Sequence, residues 1–123
     1  MMRFNLKNMS VQELVDQFAL IGVAQDEAIF NDDNAKFDRL YWQMDAVENE
    51  LKVRNGDQRR ALLALFNHDN MQVRLAAAKA TLAVAPDAAR KKLEAIANSR
   101  WYPQAGDAGM SLWNFDRGVF KPT

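Results

Sequence analysis

Side chains able to carry chemistry are few in this sequence, and they do not gather into a recognisable set. His68 is the single histidine of the 123 residues. An imidazole titrates near neutrality and suits general-base work, but nucleophilic catalysis also needs a nucleophile held against it and a group to orient it. The chain has no cysteine and no second histidine. His68 lies between Asn67 and Asp69 in a polar turn, so it reads as a solvent-exposed turn residue rather than a base. The acidic pairs Asp26-Glu27, Asp32-Asp33 and Glu48 with Glu50 are the other candidates. None shows the Glu-x-x-His spacing of a helical di-metal site. Asp32-Asp33 also lacks the glycine and closing glutamate of a calcium loop. Helix caps and solvated faces account for them, and neither a metal nor a cofactor is implied.

Basic and aromatic residues give a second set. Arg59-Arg60, Arg74, Lys79, Arg90-Lys91-Lys92 and Arg100 are followed by Trp101 and Tyr102. Cations beside aromatic rings suit nucleic acid, the cations tracking phosphates while the rings stack on bases. The balance of the chain weighs against a dedicated binder: 16 basic and 16 acidic side chains cancel, and the pI is about 6.6. The charges are nevertheless segregated. Residues 1–51 hold ten acids and four bases, residues 52–123 six acids and twelve bases. Complementary packing of solvated faces explains such a pattern, and so does a basic surface for an acidic partner. An acidic early half could also meet the basic late half of another copy, giving a head-to-tail contact. Trp42, beside Tyr41 and near Asp38 and Arg39, is a candidate partner anchor. Tyr41 is expected to face the core and Trp42 to lie at its edge, where cover by the neighbouring helix pair is an equal reading to that of an anchor.

Positioning these residues falls to helices. Asp69 with Gln72, and Ser10 with Glu13, have the spacing of a capping box, in which each side chain satisfies an orphan amide of the helix start. After Ser10, Val11, Leu14, Phe18, Ile21, Gln25 and Ala28 share one face, widened by Val15, Gly22 and Ile29. Asn31-Asp32-Asp33-Asn34 reads as a turn that also caps the next helix. That helix carries Phe37, Leu40, Tyr41, Met44, Val47 and Leu51 on one side, and Gly56 suits its left-handed close. Asp57 is placed to cap a third helix marked by Leu62, Leu65 and Phe66. Val73, Ala76, Ala77, Ala80 and Val84 line a fourth, with small residues that let a neighbour approach. Pro86 opens a fifth, where a missing amide costs nothing, and Leu93, Ile96 and Ala97 mark its buried face. Gly106 and Gly109 weaken the sixth by roughly 1 kcal/mol each, which predicts a neighbouring backbone close by. Val119-Phe120 should fold back over that last helix.

Leu62 to Phe66, a polar turn, then Asp69, Val73-Arg74, Ala76-Ala77-Ala78 and Leu82 resemble the second-helix signature of HEAT-like and armadillo-type repeats. A fainter copy runs from Pro103 to Trp113, with Gln104 echoing Gln72. There Ala105, Gly109 and Leu112 stand where Val73, Ala77 and Ala80 stand, and Gly106 replaces the arginine. The resemblance implies a structural role for Arg74, paired with an acid such as Asp69 or Asp107. Nearly the whole chain is also similar to a family of small bacterial all-helical proteins catalogued only as a domain of unknown function.

The expected fold is therefore all-α: a short right-handed α-α superhelix of three antiparallel helical hairpins, HEAT/armadillo-like. It forms one domain over 1–123, with helices at roughly 10–30, 34–54, 57–67, 70–84, 86–99 and 103–115 and a tail at 116–123. Only the first few residues and the tail should be loosely held. No apolar run reaches the ~20 residues a membrane span needs, and the start lacks a secretory core segment, so a cytoplasmic protein is expected. The expected function is a non-enzymatic protein- or peptide-binding module, an immunity or antitoxin role being one form of it. Its contact candidates are Arg39, Trp42, Arg74, Lys79 and Trp101, and the chain is a possible homo-oligomer. The alternative is a nucleic-acid-associated helical-repeat protein using the basic C-terminal half.

Overall fold

The computed structural model describes residues 5–123, among which regular structure is helical and no strand occurs. Residues 1–4, where loosely held chain is expected, lie outside the described residues. Two compact units meet in sequence at Ala61 and Leu62.

In the N-terminal unit a short 3-10 turn, Leu6–Asn8, precedes α1 (Val11–Phe30) and α2 (Asn34–Val53). The capping box at the start of α1 is present. Ser10 Oγ accepts the Glu13 amide at 3.0 Å, and Glu13 Oε1 accepts the Ser10 amide at 2.8 Å. The backbone bond from Ser10, then its hydroxyl, holds the Glu13 carboxyl below the usual glutamate range. Leu14, Phe18, Ile21, Gln25 and Ala28 are buried at the expected spacing. Asp33 caps α2 by accepting the Lys36 amide at 3.1 Å. The three-residue turn and the close packing of α1 on α2 make them a hairpin whose core also takes Leu40, Met44, Val47 and Leu51. α2 ends at Val53 with Arg54, in extended backbone, as its closing residue; Gly56, expected to close the helix, instead takes φ +80° in the turn that follows. Arg54 ties the ends together, its Nη2 donating to the Leu6 carbonyl at 2.9 Å and its Nε to Glu50 at 2.9 Å.

Tyr41 departs from expectation, being 52 % exposed rather than inward. At 100° per residue it stands on the flank of the Leu40–Met44–Val47–Leu51 stripe, and its ring rests edge-on against Trp42 instead, with centroids 5.2 Å apart.

The third helix is present but is a 3-10 helix, Gln58–Asn67, running from one unit into the other. Its buried positions explain the winding. Arg59, Leu62 and Leu65 recur every three residues, and a helix of three residues per turn keeps them on one line. Asp57 opens it as predicted, accepting the Arg59 amide at 3.3 Å. It also takes the Arg59 side chain, at 2.9 Å to Nε and 2.7 Å to Nη2.

In the C-terminal unit α3 (Met71–Ala80), α4 (Pro86–Ala97) and α5 (Gln104–Asp116) pack together. The cap of α3 is Asn70, not Asp69: Asn70 Oδ1 accepts the Gln72 amide at 2.9 Å and the Val73 amide at 3.2 Å. Two side chains displace the expected box. His68 Nδ1 accepts the Asn70 amide at 3.0 Å, and Gln72 turns inward, where its Oε1 accepts from Gln104 Nε2 at 3.1 Å. Of the expected stripe, Val73, Ala77 and Ala80 are buried, while Ala76, and Val84 beyond the helix end, are only half-buried; Leu75 and Ala78 are buried too, so α3 is covered on most of its circumference. It stops at Ala80 rather than near Val84, where Thr81 Oγ1 turns back to donate to the Ala77 carbonyl at 2.9 Å. Such a bond competes with continuation of the helix. Leu75, Leu82, Leu93 and Ile96 form the centre of this core, with Phe66 and Phe115 packed against it.

The glycines of α5 do not admit a close backbone. A side chain at Gly109 would meet nothing within 4 Å, and one at Gly106 only the Tyr102 ring at 3.8 Å. The tail does return: the amides of Val119 and Phe120 both donate to the Asn114 carbonyl, at 2.9 and 3.1 Å. No helix among the described residues is long and apolar enough to cross a membrane.

Candidate functional site

The surface of α1 opposite its core carries large apolar residues. Leu20 is 64 % and Phe30 89 % exposed, with Val23 between them. Spacings of three and ten residues put all three on one stripe. Asp16, four residues before Leu20, and Glu27, three before Phe30, are exposed on that stripe too. The outcome is a strip in which acids alternate with aliphatic and aromatic surface. On α2, Trp42 is 67 % exposed, with exposed Asp38 one turn before it and exposed Arg39 at the i, i+3 position. A hydrophobic group surrounded by carboxylates recognises apolar surface that carries positive charge.

Some charges of the C-terminal unit are engaged with one another. Lys79 of α3 pairs with Asp107 of α5 at 3.0 Å, and Ser111 Oγ donates to the same carboxylate oxygen at 3.2 Å. Arg90 pairs with Glu94 at 3.2 Å and with Asp116. Arg117 lies over the Trp113 ring, 5.1 Å from its centroid. Arg74 breaks this pattern, for its Nε is buried and meets no acceptor. Neither acid suggested for it serves: Asp107 is held by Lys79, and Asp69 is exposed without a bond to Arg74. On α4, burial and then the like charge of Arg74 push the Lys92 ammonium below the usual lysine range.

Of the expected contact residues, Arg39 and Trp42 are neighbours on α2 in the N-terminal unit. Arg74, Lys79 and Trp101 belong to the C-terminal one. Trp101 is 62 % exposed and follows Arg100, which adopts φ +62°. Lys79 is occupied in an ion pair. His68 is half-buried rather than solvent-exposed, with Nδ1 accepting a backbone amide, which leaves that nitrogen no lone pair for a substrate proton. No group of three or more histidine, cysteine, aspartate or glutamate residues lies close enough to hold a metal among the described residues.

Sequence reasoning missed Leu20, Val23 and Phe30, although the signal was present in the apolar residues that fall off the buried stripe of α1. It also missed Arg59, buried by its bidentate pairing with Asp57, and the proximity of Lys92 to Arg74. Nothing local in the sequence marks that proximity, because the two lie on different helices.

A family model described as a domain of unknown function (DUF2019) matches residues 12–116. The crystal structure of the protein RPA1889 from Rhodopseudomonas palustris CGA009 is similar throughout. It is 54% identical, covers 98% of this chain and 100% of that one, and superposes with a TM-score of 0.95. No curated protein matches.

Proposed function

This chain belongs to the family described as domain of unknown function DUF2019, and on that footing we propose that it is a non-enzymatic module that binds a protein or peptide segment. The observation that carries this reading is the outward strip of α1, in which Leu20, Val23 and Phe30 alternate with Asp16 and Glu27. An exposed phenylalanine and leucine one to three turns apart match the anchor spacing of helical recognition. The acids around them select a partner whose apolar side chains are interleaved with lysine or arginine. Trp42, flanked by Arg39, is a second anchor on the same unit. A stack of hairpins in the HEAT/armadillo-like manner is the architecture this function would use, supported by the α1–α2 hairpin and by the packing of α4 on α5.

Nucleic acid is the weaker reading because Lys79 and Arg90 are already neutralised by Asp107, Glu94 and Asp116. Titration with an amphipathic lysine–leucine peptide, followed by amide chemical shifts, tests the proposal. Shifts centred on Leu20, Val23, Glu27 and Phe30, and absent from a Leu20→Glu, Phe30→Glu variant, are expected. Perturbations scattered over both units, or unchanged in that variant, would overturn it. A single-stranded oligonucleotide serves as the competing ligand, and binding to it would weaken steeply as salt rises.

A further inference from the structure

α5 carries an outward stripe of its own. Gly106, Met110, Trp113 and Arg117 follow one another at steps of four, three and four residues, which stack on one side of a helix. All four are exposed, Met110 by 63 % and Trp113 by 59 %. Arg117 lies over the Trp113 ring and takes part in no ion pair with another described residue. The acids of α5, Asp107 and Asp116, are turned aside to Lys79 and Arg90. On α1, Asp16, Leu20, Val23 and Glu27 repeat the same steps, and all four are exposed as well. Each stripe lies wholly within one unit.

Set antiparallel, which also opposes the two helix dipoles, the stripes match position by position. Arg117 falls opposite Asp16, Trp113 opposite Leu20, and Met110 opposite Val23. Glu27 then falls opposite Gly106. Phe30, three residues on, falls opposite Tyr102, whose ring lies beside Gly106. Apolar surface meets apolar surface, and the guanidinium of one stripe meets a carboxylate of the other. The glycines fit the same arrangement. Glycine disfavours a helix, yet a side chain at Gly109 would meet nothing within 4 Å in its own chain. A second helix laid along this face is the close neighbour that glycine admits. We propose that the α5 stripe of one copy packs antiparallel along the α1 strip of a second copy. The proposal rests on the reading of the α1 strip as a partner surface, and it names this chain as the partner. Because the two surfaces differ, the contact is heterologous, and copies add head to tail into a ring or an open chain.

Sedimentation equilibrium of the whole chain at low salt, from about 10 µM to about 1 mM, reads the assembly. The weight-average mass should climb with concentration above the 14.0 kDa of one chain. Leu20→Glu and Trp113→Glu, both changes at exposed positions, should each weaken association about tenfold. Asp16→Arg and Arg117→Asp should each weaken it about fivefold. An equimolar mixture of those two should associate better than either alone, since the exchanged charges then face each other. A mass of 14.0 kDa at every concentration would overturn the proposal. So would association that Leu20→Glu or Trp113→Glu leaves unchanged, or a mixture no better than its components. The lysine–leucine peptide tells this failure from that of the α1 reading. A chain that stays single and still binds the peptide at Leu20 and Phe30 keeps its partner surface and loses only the second copy as occupant. One that does neither loses both.

Discussion

Phe18, Leu14 and Leu51 fill the core of the N-terminal unit, each with no exposed surface; in the C-terminal unit Ala77, Ala78, Ala89 and Ala108 occupy equally closed positions. One unit buries large side chains on two long helices, whereas the other sets closed alanines among the leucines and isoleucine of its core. The surfaces differ in step with the cores. Long helices paired through one face leave the opposite face free, and on α1 that face carries Leu20, Val23 and Phe30. In the C-terminal unit only α3 is covered on most sides; α4 and α5 bury one face each, α5 leaving Met110 and Trp113 outward, and charges link helix to helix through Lys79–Asp107 and Arg90–Asp116. The difference teaches that a helix presents a partner surface when its own fold uses only part of its circumference.

That contrast predicts opposite sensitivities to side-chain volume. Phe18→Ala should cost about 3–5 kcal/mol, because the cavity it leaves can only partly collapse. Ala77→Leu should cost about 1–3 kcal/mol by the reverse route, forcing α3 away from its neighbours. Urea denaturation measures both as shifts in midpoint at unchanged slope. An Ala77→Leu protein as stable as its parent would mean the alanines of α3 are not holding a close approach, and the comparison would break.

A smaller effect separates the two helix starts. Asn70→Ala should lose about 0.5–2 kcal/mol, since its side chain satisfies the Gln72 and Val73 amides. Asp69→Ala should stay within about 0.5 kcal/mol, as an exposed residue outside the cap does. Thermal unfolding of the pair checks this. Equal losses would return the cap to Asp69, the residue that the sequence pattern favours.

Legibility in the sequence follows the same division. On α1 a single buried stripe repeats through five turns, so its face and both ends could be read from periodicity, and the Ser10–Glu13 box fixed its start. The 3-10 helix was placed but not typed, because Leu62 and Leu65 alone fit either winding; the burial of Arg59 settles the three-residue period only once its partner Asp57 is known. On α3 burial has almost no free side, and of the stripe Val73, Ala76, Ala77, Ala80 and Val84 only Val73, Ala77 and Ala80 are buried, while the buried Leu75 and Ala78 lie off it. The echo of Gln72 in Gln104 turned out to have a physical counterpart, since the two amides meet in the core at 3.1 Å. The candidate site was least legible. Trp42 and Trp101, candidates for surface contact, are exposed, although cover by a neighbouring helix pair was an equal reading for Trp42; Arg74 was assigned an acid that it does not meet.

The smallest expected effect concerns the half-buried acid of the N-terminal unit. Burial raises the Glu48 carboxyl above its usual 4.5, and Asp45 and Asp57 add to this while Arg59 and Lys52 oppose it. The folded state therefore holds this proton more firmly than the unfolded chain does. The stability this contributes is fully present below about pH 4.5 and is lost as pH rises through the raised value. Asp57 has the opposite sign: the hydrogen bond from the Arg59 side chain holds it below 3.8, so its contribution exists above that value and disappears as pH falls through the lowered one. Glu48→Gln should raise Tm at pH 7, and the gain should shrink toward zero at pH 4, where the parent is protonated as well. The C-terminal unit shows the mirror image, because Lys92 is lowered from 10.5 and gains stability as pH rises through its folded value. Glu48→Gln thus flattens the acid limb of the stability curve and leaves the alkaline limb intact, whereas Lys92→Gln does the reverse. A Glu48→Gln protein whose Tm difference from the parent is the same at pH 4 and pH 7 would show that this carboxylate stays solvated in the fold.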